Sequence, residues 1–73
     1  VIFRNRDVPG VIGKVGTIFG DEKINIAQMY VGRSPEESGM ALTIVLVDDP
    51  VPPGVIEKLS ELPEIQQVRQ IQL

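Results

Sequence analysis

The chain has no cysteine and no histidine. Without cysteine no disulfide can stiffen the fold, and cysteine usage says nothing of redox compartment. Lacking both residues, it has neither the ligands of a Cys/His zinc site nor a Ser-His or Cys-His catalytic pair. Aromatic residues are scarce: Phe3, Phe19 and Tyr30 are all there are, so the core must be aliphatic. The apolar run Met40 to Val47 is far too short to span a bilayer, and no signal-peptide pattern is visible. Basic residues number seven against ten acidic ones, a net charge of -3, and they form no cluster. Phosphate backbones are poor partners for such a surface, so neither nucleic acid nor membrane is expected.

What remains is enough for one domain. At 73 residues, 42% of them apolar, the chain is near the lower limit for a self-supporting core. It opens on Val1 inside an apolar run, which reads as a segment cut or processed from something longer.

"VIFRN" (1–5) alternates and reads as a strand. Asp7 precedes Pro9, a favoured first-turn residue, so a helix is expected to start near Val8 to Gly10. Val11, Ile12, Val15, Ile18 and Phe19 then recur on one helical face. "INIAQMYVGR" (24–33) reads as a second strand, and "SPEESG" (34–39) as a turn leading into a third, "MALTIVLVD" (40–48). The third is apolar almost throughout, which fits a central strand. "DPVPPG" breaks the chain before a short helix over Pro53 to Leu62, which Pro63 ends. The last strand is "IQQVRQIQL" (65–73), whose apolar residues Ile65, Val68 and Ile71 change parity and leave its faces unassigned.

The order βαββαβ predicts an α+β, ferredoxin-like sandwich: a four-stranded antiparallel sheet with both helices on one face. Gly13, Gly16 and Gly20 fall together on a side of the first helix away from its apolar face. Each helix-interior glycine costs roughly 0.5–1 kcal/mol relative to Ala. Another backbone or a ligand packing there would explain them; so would a tight local contact between helix and sheet.

Asn5 and Asp7 sit just before this helix, and N–H groups of Gly10, Val11 and Ile12 would point the same way. Unpaired helix-start donors suit a carboxylate, while carboxamide and carboxylate side chains can read an ammonium and a hydroxyl. Together they complement a small zwitterion. Capping by Asp7 and a turn role for Asn5 explain the same residues. The acid pairs Glu36–Glu37 and Asp48–Asp49 lie in turns and read as solvated, so no metal site is assigned.

"NRDVPGVIGKVGTIFGDEKINIAQMYVGR" resembles the first half of an ACT domain, and "ALTIVLVDDPVP" and "IQQVRQIQL" continue the resemblance over the whole chain. More narrowly it is similar to the carboxy-terminal ACT domains of bacterial D-3-phosphoglycerate dehydrogenases; the ACT domain of iron–sulfur L-serine dehydratases reads similarly. The resemblance implies a single regulatory domain, residues 1–73, of a cytoplasmic enzyme of serine biosynthesis. Its attached catalytic domain would be the NAD-dependent one, and this chain would hold no cofactor and catalyse nothing alone. It further implies a side-by-side homodimer through the second strand and first helix, with Gly13, Gly16 and Gly20 at the seam. Members that respond to L-serine hold it there, which carries onto Asn5, Asp7 and, from the neighbour, Asn25. Asn5 stands where those members have histidine and Asp7 where they have asparagine; the extra charge disfavours a ligand carboxylate and favours its ammonium. Lys23 stands where Gly or Asn is frequent, a position that would cost Lys on the order of 1 kcal/mol if left-handed. A purely structural dimerisation module is the alternative reading.

Overall fold

The structure is a computed structural model, described here for residues 1–71. Its elements run β1 (Ile2–Arg6), α1 (Val11–Asp21), β2 (Ile26–Arg33), β3 (Met40–Val47), α2 (Pro53–Glu61) and β4 (Ile65–Arg69). The strands form one antiparallel sheet in the order β2-β3-β1-β4, with β3 and β1 central and β2 and β4 at the edges. This is the expected ferredoxin-like sandwich.

Strand alternation sets the layers. Phe3 on β1 and Ala41, Thr43 and Val45 on β3 turn toward the helices and are buried. There they meet Val11, Val15 and Phe19 of α1 and Val55 and Leu59 of α2. The opposite face carries Tyr30, Leu42, Ile44 and Leu46 in adjoining register and is left uncovered.

The last strand stops at Arg69, short of the expected 73, and Gln72 and Leu73 lie outside the described residues. Its change of parity has a local cause. Between the pairs Arg4–Gln66 and Ile2–Arg69, both Gln67 and Val68 oppose Phe3 alone, and Gln67 has a φ of 54°. A bulge of this kind inserts one residue and lets Ile65 and Val68 both face the core. Lys23 is also left-handed, at φ 58°, just after α1, so the unfavourable position expected for it is real.

α2 packs on β4 with α1 beside it, which leaves α1 over the β2 half of the sheet. A salt bridge fixes how α1 is turned: Lys14 Nζ lies 2.6 Å from Glu64 Oε2, just ahead of β4. Gly16 lies two residues, about 200°, round the helix from Lys14. The Gly16 flank therefore faces away from α2, toward the β2 edge.

The hydrogen bond from Lys14 holds the Glu64 carboxyl below its ordinary pKa. A depressed carboxyl contributes stability above its unfolded pKa and loses it as pH falls through the lower folded value. Lys14→Gln should return Glu64 toward the ordinary carboxylate range, read by NMR titration of its side-chain carbon. An unmoved Glu64 titration would mean that Lys14 does not hold it.

Candidate functional site

The loop from β1 into α1 is positioned by its own backbone. Asp7 N–H donates to Gly39 C=O at 2.8 Å and Arg6 N–H to Glu64 C=O at 2.8 Å, tying the loop to the hairpin on one side and the β4 entry on the other. α1 begins at Val11, later than Val8 to Gly10, because Gly10 is its N-cap at φ 92°. No side chain caps it, so Asp7 does not do so, and its first turn carries no acidic residue. The first helical bond is Lys14 N–H to Gly10 C=O at 3.1 Å. The amides of Val11, Ile12 and Gly13 thus precede the ladder, one residue beyond the expected Gly10 to Ile12.

Asn5 is placed differently from a free reader of ligand. It shares the helix-facing parity of Phe3 and is only 3% exposed. Its Oδ1 accepts a bond from Thr43 Oγ1 at 2.8 Å, and its Nδ2 donates to Arg6 C=O at 2.9 Å. The Asn5 amide therefore satisfies a buried hydroxyl and closes the end of β1.

Asp7 is at the surface and pairs with Arg33, whose Nε lies 2.8 Å from Asp7 Oδ2. Arg33 is the last residue of β2 and the loop's cationic neighbour. It was not among the residues singled out from the sequence: 26 positions separate it from Asp7, and only strand pairing joins them. The tripeptide "VGR" closing β2 was the available signal.

Asn25 lies elsewhere within one chain. Ile26, beside it, pairs with Val47, whereas Asn5 pairs with Ala41. Six residues of β3 separate those positions, about 20 Å at strand rise. Asn5, Asp7 and the α1 start come together; Asn25 stands at the far end of the sheet.

The three α1 glycines are open. A Cβ at Gly13, Gly16 or Gly20 would meet nothing within 4 Å, so no helix–sheet contact in this chain requires glycine there. Beside them Ile12 is 40% exposed, and Val31, on the helix-facing parity of β2, is 48% exposed. The β2 edge runs eight residues with one irregularity at its start, between Ile26 and Gln28, while the β4 edge is five residues long and broken within by its bulge.

Of two shallow clefts, the first lies apart from this region and the second takes in Arg33. One, about 480 Å³, runs between Val1, the Val45–Val51 stretch and Gln70–Ile71. Another of about 480 Å³ lies at the hairpin between Arg4, Gly32–Glu36 and Leu42. Neither is lined by Asn5, Asp7 or Asn25. Among the described residues no cluster of acids has metal-binding geometry, and no helix is long and apolar enough to cross a membrane.

A model of the ACT domain family matches residues 1–64. The chain is 46% identical over 74 residues to a D-3-phosphoglycerate dehydrogenase of Archaeoglobus fulgidus, a match covering 100% of this chain and 14% of that protein. It is 44% identical over 72 residues to the enzyme of that name from Methanocaldococcus jannaschii, covering 99% and 14%. With that from Bacillus subtilis it shares 40% over 73 residues, covering 100% and 14%. The chain thus spans about one seventh of the length of these curated relatives.

Proposed function

The chain belongs to the ACT domain family, and we propose that it is the amino-acid-binding, dimer-forming regulatory domain of a D-3-phosphoglycerate dehydrogenase, with L-serine as effector. The catalytic activity and its NAD would belong to an attached domain. This chain has no glycine fingerprint for a dinucleotide after a strand, and its part is to bind and to assemble.

One observation carries the reading: the bare β2 edge and the open glycine flank of α1 lie on the same side of the molecule. An eight-residue edge strand with exposed apolar neighbours is a template for another strand, and a second copy is the simplest donor. Antiparallel pairing of β2 with its own copy about a two-fold axis sets the start of one β2 beside the end of the other. The partner's Asn25 then arrives near Arg33, which touches Asp7. The 20 Å gap within one chain is closed by symmetry, and the glycines let the two α1 helices approach.

Sedimentation of the chain at micromolar concentration should give a dimer, and calorimetric titration should show L-serine binding. Gly16→Leu is the sharper test. Within one chain Leu there meets open space and gains helix propensity of about 0.8 kcal/mol over Gly. The fold should be retained while the dimer dissociates. A monomeric parent would defeat the reading, as would a Gly16→Leu variant that dimerises like the parent. A parent that dimerises but binds no amino acid at millimolar concentration would leave assembly as its role.

A further inference from the structure

We propose that Arg33 is the residue that recognises the carboxylate of the amino-acid effector, with Asp7 taking its ammonium. This rests on the amino-acid-binding reading above and adds the group that sets its selectivity. A zwitterion presents two charges on one carbon, so its complement is a cation and an anion in direct contact. Arg33 and Asp7 are such a pair, 2.8 Å apart, at the point where the β1–α1 loop meets the end of β2.

The other candidates for carboxylate recognition are engaged or turned away. Asn5 is buried on Thr43 and on the Arg6 carbonyl. Lys14 is held by Glu64. Arg6 alternates with Asn5 and lies on the opposite face of the sheet. Arg33 meets Asp7 through Nε at 2.8 Å and is otherwise largely open to solvent, and a guanidinium with five N–H donors can make a two-pronged carboxylate contact besides.

Tethering the loop is a weak reason for the pair. The Arg33 side chain is 85% exposed, and ion pairs that open to water contribute little stability. Backbone hydrogen bonds already hold the loop on both sides. In the paired dimer the same guanidinium would stand between its own Asp7 and the partner's β2 start, where solvent is reduced and a charged contact strengthens.

The test compares L-serine with L-serinamide, which keeps the ammonium and hydroxyl but has no carboxylate. Titration calorimetry is run on the parent, Arg33→Gln and Asp7→Asn, with dimer mass followed by sedimentation. The parent should prefer L-serine. Arg33→Gln should weaken L-serine about tenfold or more while moving L-serinamide less than about twofold, so the preference collapses. Asp7→Asn should move the preference the other way, because Arg33 is then unopposed and the ammonium is common to both ligands. An Arg33→Gln dimer that keeps the parent's preference overturns the proposal while leaving amino-acid binding intact. Should Arg33→Gln fail to dimerise, Asp7→Asn decides, and an unchanged or reduced serine preference there overturns it. A parent that binds neither compound defeats the amino-acid reading itself, and this proposal with it.

Discussion

Phe19→Ala is expected to remove about 3–5 kcal/mol of folding free energy, a large share of what a chain of this length holds. Phe19 is fully buried in the last turn of α1 and belongs to the cluster that includes Val15, Val45, Val55 and Leu59. Only two phenylalanines serve the core, so the aliphatic residues around it cannot make up the lost volume. At about 0.05–0.15 kcal/mol per residue, a chain of this length holds roughly 4–11 kcal/mol in all. The substitution therefore removes between about a quarter and all of its stability. Urea unfolding at one fixed chain concentration measures it, because the proposed dimerisation would add a concentration-dependent share. The midpoint should fall steeply. A change of less than about 1 kcal/mol would show that Phe19 does not sit in a closed core.

Most of the architecture was legible because periodicity was strong where burial is one-sided. Val11, Val15 and Phe19 recur at helical spacing and are buried, and Ala41, Thr43 and Val45 alternate and are buried on β3. The reading failed where backbone geometry departed from these periods. β4 defeats strict alternation because Gln67, a non-glycine residue, takes a left-handed conformation and adds one residue opposite Phe3. The start of α1 was misplaced because a left-handed glycine caps it, and Asp7 is drawn outward to Arg33 instead.

The site divides in the same way. That Asp7 is a surface group near the helix start followed from local sequence. The burial of Asn5 could have been read from its spacing of two from Phe3, since both must share a face of β1. Arg33 could not be read this way, because its nearness to Asp7 depends on the β2–β3 hairpin and the β1–β3 ladder together.

The placement of Asn25 leads to a second large effect: two weakly binding variants should restore tight binding when combined in one dimer. Asn25→Ala removes an amide that can donate to a carboxylate and accept from an ammonium. Losing a hydrogen bond to a charged group should weaken L-serine about ten- to a hundredfold. Asp7→Leu removes the ammonium's acceptor and should weaken it comparably, and Asp7 is exposed enough for the fold to tolerate it. Because Asp7 and Asn25 stand at opposite ends of the sheet, each seam site of the proposed dimer would take its loop from one chain and its Asn25 from the other. Every site in either variant homodimer is therefore defective. In a heterodimer of the two, both defects fall in one site, and the other holds a native Asp7 and a native Asn25. Heterodimers isolated through two different affinity tags should bind L-serine with the parent's affinity at one site per dimer, half the parent's stoichiometry. If the heterodimer binds no better than the two homodimers, the ligand is held within a single chain, and the two-fold placement of Asn25 beside the Asp7–Arg33 pair is wrong.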